Sequence, residues 1–417
     1  MIISIEPSQL KGSAYAPPSK SYAQRMLICA ALSEGTGRIK GISGSGDMKA
    51  ALDCIEALGA KYSADGDTVT VSGRGAVKED AYGSGSEEAA GNRVHVFPCN
   101  ESGNTLRFLI PVSLCFFDRV RFTGTKRLME RGISVYEELF SERGIAFSKE
   151  ECALNINGRL LPGKFRVRGD ISSQFITGLL LSLVMLPGDS RIELIPPVES
   201  RAYIDITEDV LRDFGIRLDR EDENTFLIKG GQRYRAGDRE VEGDWSNAAF
   251  LYGFNALGSD IEIKGLKTDS IQGDRACIGL FERLEEEEPV IDISGCPDLG
   301  PVLFALAAAK HGALITGTRR LKIKESDRAS AMAEELGKFG VELKLSENSV
   351  FIPDTRLKKP EDSLSAHNDH RIAMALCLLM SLTGGTLTGA EAVNKTWPGF
   401  YETVRGLGLK LLIQEEL

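Results

Sequence analysis

The 417-residue chain has little of what several functional classes require. Its four histidines do not group as metal ligands would, and none of its eight cysteines has a partner at Cys-x-x-Cys spacing. This pattern predicts no metal site and indicates reduced, buried thiols in a reducing compartment. Cys115, for example, lies inside the apolar run 114–117 and is expected to be a core thiol rather than a nucleophile.

Positive charge is also in short supply, with 50 Lys and Arg residues against 60 Asp and Glu residues and a net charge of −10. A general nucleic-acid binder needs a basic face, so no nucleic-acid partner is expected. The longest uncharged stretch, 372–390, loses its apolar character after Leu382 and is too short to span a membrane. The N-terminal residues 1–6 alternate like a strand and have no basic signal-peptide start. We therefore expect a cytoplasmic protein without a membrane partner.

A glycine-rich nucleotide-binding loop is missing as well. The nearest candidate is the segment 83–86, which reads Gly-Ser-Gly-Ser. It lacks both the G-x-G-x-x-G spacing and the lysine of a P-loop, so it predicts a flexible loop.

What the chain does contain is a pattern that occurs six times. In each copy a polar cluster opens an apolar, helix-like run, and a short alternating strand follows. The openings lie at 18–21, 101–104, 169–174, 243–247, 295–298 and 368–371. Such a recurrence indicates one supersecondary unit used six times. Each opening is predicted to be a helix N-terminus, whose unpaired backbone N–H groups can bind an anion.

The alternation of strands and helices predicts an α/β architecture. Most copies continue with a second helix, such as 47–58 before Gly59, and one or two short strands, although the copy after Gly265 is less clear. A polar break at 235–238 follows the third copy, and the N-terminal strand needs the second half of the chain to form a core. We therefore expect lobe I to comprise 1–17 and 241–417 and lobe II to comprise 18–240. Two crossovers between them would form a hinge for closure over a ligand.

Basic residues collect at or near the predicted helix starts, and two acids accompany them. Arginine forks and lysines beside helix N-termini suit carboxylates and phosphates, so they predict a site for anionic ligands. Asp298 and Glu325 are candidate acid–base groups, because a carboxylate among cations can move a proton in a dry site. Structural roles remain equally open, as a helix cap for Asp298 and as an i,i+3 partner of Arg328 for Glu325. The basic residues are Lys20, Arg25, Arg107, Arg127, Arg131, Lys324, Arg328, Arg371 and Lys395.

A set of motifs, in order along the chain, points to a family. They are Pro18-Ser19-Lys20-Ser21 with Arg25, Gly103 with Arg107, Thr123-Gly124 with Arg127, Ser172-Ser173-Gln174-Phe175, Ser200 with 203–207, 242–244, Pro297-Asp298, 324–328, 368–371 and 395–398. With these motifs the chain resembles the enolpyruvyl transferases over essentially its whole length, and most of all those that act on shikimate 3-phosphate. The resemblance implies a two-lobed inside-out α/β barrel with three βαβαββ repeats in each lobe.

The resemblance also implies a reaction. The enolpyruvyl group of phosphoenolpyruvate would be transferred to the 5-hydroxyl of shikimate 3-phosphate, with release of phosphate, in the shikimate pathway to chorismate and the aromatic amino acids. The route would be addition and elimination through a tetrahedral intermediate. Asp298 would be the base for the hydroxyl, and Glu325 would protonate the methylene carbon with Lys20 close by. The family needs no metal or organic cofactor, and a monomer is expected.

Substrate-binding residues follow from the same motifs. Shikimate 3-phosphate would be held by Ser21, Arg25, Ser172, Ser173, Gln174, Ser200, Tyr203, Asp298 and Lys324. Phosphoenolpyruvate would be held by Lys20, Gly103, Arg127, Gln174, Arg328, Arg371 and Lys395. Lobe I would carry mainly the phosphoenolpyruvate side and the catalytic acids, and lobe II mainly the shikimate 3-phosphate side. Three residues depart from the family pattern, namely Glu101, Gly132 in place of proline and Arg320 in place of asparagine.

Two other functions remain open at this stage. A sister family transfers enolpyruvyl to UDP-N-acetylglucosamine and usually carries a cysteine in a closing loop, whereas the loop 117–132 contains none. The Ser172-Ser173-Gln174 triplet also favours a small phosphorylated acid over a nucleotide sugar. A non-catalytic anion-binding protein would keep the cations but would not need Asp298 and Glu325.

Overall fold

The computed structural model describes residues 1–75 and 93–414, so the predicted loop at 83–86 lies outside the described residues. The chain forms two compact units, each with its own apolar core. Unit 1 comprises Met1–Ser19 and Glu242–Leu417, and unit 2 comprises Lys20–Val241. Within the described ranges no helix combines the length and apolar character needed to cross a membrane. Seven of the eight cysteines are buried free thiols, Cys115 among them as predicted, whereas Cys152 is exposed.

The first two strands belong to unit 1. β1 (Ile2–Glu6) buries Ile3 and Ile5 on one face, and β2 (Lys11–Tyr15) follows it. β1 pairs antiparallel with strands at 385–388 and 410–414, and β2 pairs parallel with a strand at 260–264. The prediction that the N-terminal strand combines with the second half of the chain is thereby confirmed.

In the described part of unit 2 there are three four-stranded sheets of one topology. Its elements are α1 (Lys20–Leu32), β3 (Thr36–Lys40), α2 (Gly46–Leu58), β4 (Lys61–Asp65), β5 (Thr68–Ser72), β6 (His95–Asn100), α3 (Gly103–Ser113), β7 (Arg119–Gly124), α4 (Lys126–Glu130), α5 (Ser134–Ser141), β8 (Ala146–Lys149), β9 (Ala153–Asn157), β10 (Lys164–Arg168), α6 (Ser173–Leu183), β11 (Ser190–Ile195), α7 (Arg201–Asp213), β12 (Asp219–Asp222), β13 (Thr225–Ile228) and β14 (Arg239–Glu240). The strand orders are β14-β3-β5-β4, β6-β7-β9-β8 and β10-β11-β13-β12. In each sheet the first two strands are parallel and the last two form an antiparallel hairpin.

The remaining elements of unit 1 repeat this plan. They are α8 (Trp245–Ala256), β15 (Asp260–Lys264), α9 (Cys277–Arg283), β16 (Val290–Asp292), α10 (Gly300–Ala309), β17 (Ala313–Thr316), α11 (Arg328–Lys338), β18 (Lys344–Leu345), β19 (Ser349–Ile352), β20 (Leu364–Ser365), α12 (His370–Thr383), β21 (Gly385–Thr388), α13 (Phe400–Gly406) and β22 (Lys410–Gln414). Short 3-10 turns lie at Gly273–Ala276, Pro297–Leu299, Arg319–Ile323 and Ala390–Lys395. Two sheets have the orders β16-β17-β19-β18 and β20-β21-β1-β22, and the third contains only β15 and β2.

The α/β class built from repeated βαβαββ units is therefore confirmed, with one shortened copy. After β15 the described chain passes through a 3-10 turn and α9 into β16, so the sheet of β15 and β2 lacks the antiparallel strand pair that completes each of the other five described sheets. This is the copy whose second half gave the weakest sequence signal. The helices that follow the six openings are α1, α3, α6, α8, α10 and α12, and nearly all their side chains are buried. A helix that is apolar on all sides is buried in a core. The polar first turn is therefore the part of each of these helices that can contribute groups to a binding site.

Candidate active site

A network of six charged side chains lies in unit 1. We call it the Asp298 cluster, and it comprises Asp298, Lys324, Glu325, Arg328, Asp369 and Arg371. Asp298 occupies the 3-10 turn that leads into α10. Its Oδ1 atom is 3.1 Å from Lys324 Nζ and 2.8 Å from Arg328 Nη1, and its Oδ2 atom is 3.3 Å from Arg371 Nη2. One carboxylate therefore contacts three cations.

Arg328 is the centre of the cluster and is only 1% exposed. Its Nη2 atom is 2.7 Å from Glu325 Oε2, and its Nε atom is 2.8 Å from Asp369 Oδ2. Burial disfavours the charged guanidinium, but the three carboxylates outweigh this effect and raise the pKa of Arg328 above its ordinary value. Burial likewise disfavours the Asp369 carboxylate, but the charge of Arg328 lowers the pKa of Asp369. Both side chains are therefore ionised.

Lys324 has a different balance. Burial, which is the largest effect, lowers its pKa from 10.5 to about 8. Asp298 opposes this shift, whereas the positive charges of Arg328 and Arg320 add to it. A lysine of this kind gives up its proton in mildly alkaline solution, so the charge of the cluster depends on pH.

A strained loop positions Asp369 and Arg371. His367 and Asn368 both have positive φ angles, 49° and 52°, which non-glycine residues rarely adopt. The Nζ atom of Lys395 donates to the Asn368 carbonyl at 2.6 Å, and this contact helps to hold the loop. Asp369 then caps α12 by accepting a hydrogen bond from the Arg371 N–H at 2.9 Å. The cap fixes the carboxylate that Arg328 requires.

One group of candidate metal ligands occurs in the described part of the chain. Carboxylate oxygens of Glu334 and Glu335 and a ring nitrogen of His367 lie within 4.8 Å of one another. The ammonium of Lys338, however, is 3.0 Å from both Glu335 oxygens, and the His367 Nε2 atom is 2.9 Å from Glu335. The buried Glu335 is therefore already neutralised by protein groups, and this arrangement is an ion-pair network that supports the loop.

In unit 2, side chains near the starts of α1, α3 and α6 contact one another. Arg25 on α1 is 2% exposed, and it donates to the Thr207 and Thr177 hydroxyls and to the carbonyls of Tyr203 and Ser21. Four of its five N–H groups therefore bind protein oxygens, which leaves one N–H of Nη1 for a ligand. Burial lowers the pKa of Arg25 to about 10, because hydroxyls and carbonyls surround it instead of carboxylates.

The other predicted residues of unit 2 lie close to helix starts. Ser172 caps α6 by accepting from the Gln174 N–H, and Ser173 is its first residue. Gly103 begins α3, where an added Cβ would be 2.9 Å from the guanidinium carbon of Arg131, so only glycine fits beside that side chain in its present position. Ser200 has a positive φ of 54° directly before α7, which carries Tyr203.

Lys20 and Arg127, both predicted to bind phosphoenolpyruvate, contact acidic residues of the same unit. Lys20 Nζ is 3.0 Å from Asp47 Oδ2. Arg127 Nη1 is 3.9 Å from Glu130 Oε2 and belongs to a side chain that is 42% exposed. An exposed pair of this length contributes little, so the Arg127 side chain can exchange Glu130 for a ligand at low cost.

Several structural interpretations from the sequence can now be decided. Serine and aspartate side chains do cap helices at four openings, through Ser102, Ser172, Asp244 and Asp369. Glu325 does pair with Arg328 at i,i+3. The capping interpretation of Asp298 is wrong, because its oxygens contact cations and no side-chain cap hydrogen bond is made at the start of α10.

Sequence reasoning missed the partners of the cations. Asp369 was part of a helix opening, but its pairing with Arg328 was not predicted, and neither was the Lys20–Asp47 pair. The hydroxyls of Thr177 and Thr207, which bind Arg25 and each other, were also missed. Only a general rule could have pointed to these partners. A buried cation requires hydrogen-bond acceptors, so polar residues on otherwise apolar helix faces were candidates for that role.

Comparisons with known proteins agree with this architecture. The family model described as EPSP synthase (3-phosphoshikimate 1-carboxyvinyltransferase) matches residues 5–404. Two relatives named 3-phosphoshikimate 1-carboxyvinyltransferase, from Clostridium kluyveri and Clostridium perfringens, are 40% and 39% identical, and each alignment covers 97% of both chains.

Solved structures show the same fold. An EPSP synthase from Acinetobacter baumannii has a TM-score of 0.77 at 23% identity, covering 99% of this chain and 100% of that one. The enolpyruvyl transferase NikO from Streptomyces tendae has a TM-score of 0.75 at 16% identity, covering 100% of this chain and 99% of that one. The sequence match over almost the entire length decides the classification: the chain belongs to the EPSP synthase (3-phosphoshikimate 1-carboxyvinyltransferase) family.

Proposed function

We propose that this chain transfers the enolpyruvyl group of phosphoenolpyruvate to the 5-hydroxyl of shikimate 3-phosphate and releases phosphate. Its family membership and the printed names of its relatives support this reaction. At the level of residues, one observation carries the proposal. Asp298 is held by three cations, and a second carboxylate, Glu325, contacts the same Arg328 guanidinium. Two candidate proton-transfer groups therefore lie within a cluster of anion-binding groups.

The charges of the Asp298 cluster suit a ligand that carries two anionic groups. Its three cations, Lys324, Arg328 and Arg371, are neutralised by three carboxylates of the protein. Phosphoenolpyruvate carries a phosphate and a carboxylate, which can replace Asp298 as partners of Arg328 and Arg371. Lys395, which donates to the loop before Asp369, is a third candidate for contacting this substrate.

Replacement of its partners would change the chemistry of Asp298. While Lys324, Arg328 and Arg371 contact its oxygens, Asp298 is a poor proton acceptor. Once substrate oxygens occupy these cations, the carboxylate can accept a proton from the attacking hydroxyl. Anion binding and activation of the base are thus coupled through the same contacts.

The proposed reaction then has two stages. Once substrate oxygens replace Glu325 as partners of Arg328, Glu325 takes up a proton from solvent. With Lys20 as the accompanying cation, it then gives this proton to the methylene carbon, and the neighbouring carbon becomes electrophilic. The hydroxyl oxygen attacks that carbon while Asp298 takes the hydroxyl proton, which forms the tetrahedral intermediate. Glu325 then takes a proton back from the new methyl group while the carbon–oxygen bond to phosphate breaks, and the double bond is restored. The departing phosphate receives the hydroxyl proton from Asp298, so both acids return to their starting state. Proton transfer by positioned groups typically contributes about 10²–10⁴-fold to the rate.

Shikimate 3-phosphate needs donors for a phosphate, a carboxylate and hydroxyls. We assign this substrate to the polar set of unit 2, together with Lys324 and Asp298, as the family resemblance implies. The members in unit 2 are Ser21, Arg25, Ser172, Ser173, Gln174, Ser200 and Tyr203. Lys20, Gly103 and Arg127 keep their predicted role in binding phosphoenolpyruvate. A cytoplasmic location and a monomeric state remain predictions.

The test is phosphate release from phosphoenolpyruvate with either shikimate 3-phosphate or UDP-N-acetylglucosamine as acceptor. We expect turnover only with shikimate 3-phosphate. Asp298→Asn should lower kcat about 100-fold or more while both substrates still bind, as measured by calorimetry. The matched control is Asp292→Asn, which alters an exposed acid at the end of β16 that hydrogen-bonds Ser294.

Each contrary result has a distinct meaning. Turnover with UDP-N-acetylglucosamine alone would mean that the nucleotide sugar, and not shikimate 3-phosphate, is the acceptor. Binding of both substrates without phosphate release by the wild type would favour a non-catalytic anion-binding protein. Unchanged turnover in Asp298→Asn would remove Asp298 from the mechanism.

A further inference from the structure

Three helices of unit 2 are joined by a chain of side-chain amides that begins at an arginine. We call it the amide relay, and it comprises Arg107, Gln174, Asn104 and Gln24. Arg107 Nη1 donates to Gln174 Oε1 at 2.5 Å, and Gln174 Nε2 donates to Asn104 Oδ1. Asn104 Nδ2 donates to Gln24 Oε1 at 2.7 Å, and Gln24 Nε2 donates to the Ser102 hydroxyl at 3.1 Å. The relay therefore runs from α3 to α6, back to α3 and on to α1.

The relay has only one consistent direction, and Arg107 sets it. A guanidinium can only donate, so the Gln174 amide must turn its oxygen toward Arg107 and its nitrogen toward Asn104. Asn104 then has to present its oxygen to Gln174 and its nitrogen to Gln24. Arg107 itself is fixed, because it is 3% exposed and its Nη2 atom also donates to the carbonyls of Arg131 and Gly132. The orientation of Gln174 is thus determined by groups that do not move freely.

The relay leaves part of Gln174 available. An amide offers two N–H donors and two oxygen lone pairs, and the relay uses one of each. Gln174 is partly exposed, whereas Gln24 at the far end is fully buried. One N–H and one lone pair of Gln174 therefore remain at a partly exposed position within a relay whose two ends, Arg107 and Gln24, are both buried.

We propose that Asn104 and Gln24 are positioning residues for the reaction. Together with Arg107, they hold the Gln174 amide in a single orientation, and this orientation decides which amide atoms face the substrates. This inference rests on the proposed function, in which Gln174 contacts the substrates. A flipped Gln174 would present an oxygen where a donor is needed, and a buried polar group left unpaired is costly. Neutral amides also give directional hydrogen bonds without adding negative charge near ligands that are anions. Asn104 and Gln24 thus act through Gln174 and make no contact with substrate themselves.

A double-mutant cycle on kcat/KM for phosphate release tests the proposal. The variants are Gln174→Ala, Asn104→Ala and the combination of both. Each single change should lower kcat/KM about tenfold, the effect of one hydrogen bond. The double variant should be no worse than Gln174→Ala, because Asn104 has nothing to orient once Gln174 is gone. The control is Asn255→Ala, which removes two 2.8 Å hydrogen bonds between a helical asparagine and Ile261 outside the relay. If Asn255→Ala lowers kcat/KM, its combination with Gln174→Ala should show the product of the two separate losses.

Other outcomes would overturn the proposal. A double variant whose loss equals the product of the two single losses would mean that Asn104 acts independently of Gln174. An unaffected Gln174→Ala would refute both the relay and the substrate role of Gln174, whereas a wild type inactive with shikimate 3-phosphate would refute the proposed function itself. If Asn104→Ala does not fold, Gln24→Met keeps the buried volume at the far end of the relay. That variant should lose about threefold in kcat/KM, again without further loss when combined with Gln174→Ala.

Discussion

Lys324 should make the stability of unit 1 increase in alkaline solution, which is the reverse of what a salt-bridged lysine usually does. Its ammonium contacts Asp298, but burial lowers its pKa from 10.5 to about 8. Below pH 8 the folded and unfolded chains both carry this proton. Between about pH 8 and 10.5 only the unfolded chain carries it, so the free energy of unfolding rises with pH.

The magnitude follows from the shift. One unit of pKa is about 1.4 kcal/mol, so a change from 10.5 to about 8 corresponds to about 3 kcal/mol. The side chain is 16% exposed, and solvent screening at its exposed edge makes this figure an upper value. Lys324→Met has no ammonium to bury or release. The stability difference between wild type and Lys324→Met should therefore shift by up to about 3 kcal/mol in favour of the wild type over this pH range.

The assay is urea unfolding at about pH 7.5, 9 and 10.5, followed by tryptophan fluorescence. Both tryptophans of the chain, Trp245 and Trp397, are buried in unit 1, so their emission reports on the unit that contains Lys324. Lys264→Met is the control, because a hydrogen bond with Glu262 raises the pKa of this exposed lysine, which also lies in unit 1. Its stability difference should stay flat up to pH 10.5. A flat difference for Lys324→Met as well would refute the burial argument.

The same titration should appear in catalysis. Lys324 is proposed to hold shikimate 3-phosphate, so kcat/KM should fall as the pH rises above about 8. Lys324→Arg keeps a positive charge throughout this range and should move the decline to higher pH. An unchanged alkaline limb in Lys324→Arg would assign the decline to another group.

Three further predictions concern unit 1 and the backbone. Arg328→Met leaves three carboxylates without their shared cation and should cost about 3–5 kcal/mol in urea unfolding at neutral pH, and a loss below 1 kcal/mol would contradict the pairing. Gly317→Ala should destabilise the protein by more than Gly66→Ala. Both glycines have positive φ angles (75° and 59°), but only at 317 would an added Cβ collide, at 2.4 Å from an aspartate oxygen. Equal losses in thermal unfolding would mean that backbone strain alone matters. The hydrogen bond with Glu335 raises the pKa of His367, so its stabilisation is fully present below pH 6.5 and is lost as the pH rises through the raised value; His367→Gln should therefore cost more at pH 5.5 than at pH 8.5, and the reverse order would refute the pairing.

The fold was predictable where one periodic signal dominated. Apolar helices such as α12, with a polar first turn and a glycine after their last residue, read clearly because local chemistry alone decides where they begin and end. The association of β1 with the second half of the chain followed from a simpler need, because an isolated strand has no core to join. Its antiparallel direction and its partners, β21 and β22, were not predicted. The missing hairpin after β15 could not be predicted, because short exposed strands and loops have similar compositions.

The candidate site was predictable in its cations and acids but not in their pairing. The basic residues were visible because they collect at or near the predicted helix starts, and the family motifs supplied their expected roles. Which acid neutralises which base depends on contacts between segments far apart in the chain, such as Arg328 with Asp369, 41 residues apart. Arg25 shows the same limit, since its partners Thr177 and Thr207 lie on two other helices.

The pairing explains how such cations can be buried in the protein. A buried cation without a partner is so costly that Arg328 needs carboxylates before any substrate arrives. In the Asp298 cluster, those carboxylates include Asp298 and Glu325, the proposed acid–base groups. The groups that neutralise Arg328 are therefore the groups that, in the proposed mechanism, a bound anion would release for proton transfer. A cluster balanced in this way would exchange one set of anions for another, so substrate binding would cost less than charging an apolar cleft, and the proposed acid–base groups would become available only with substrate bound.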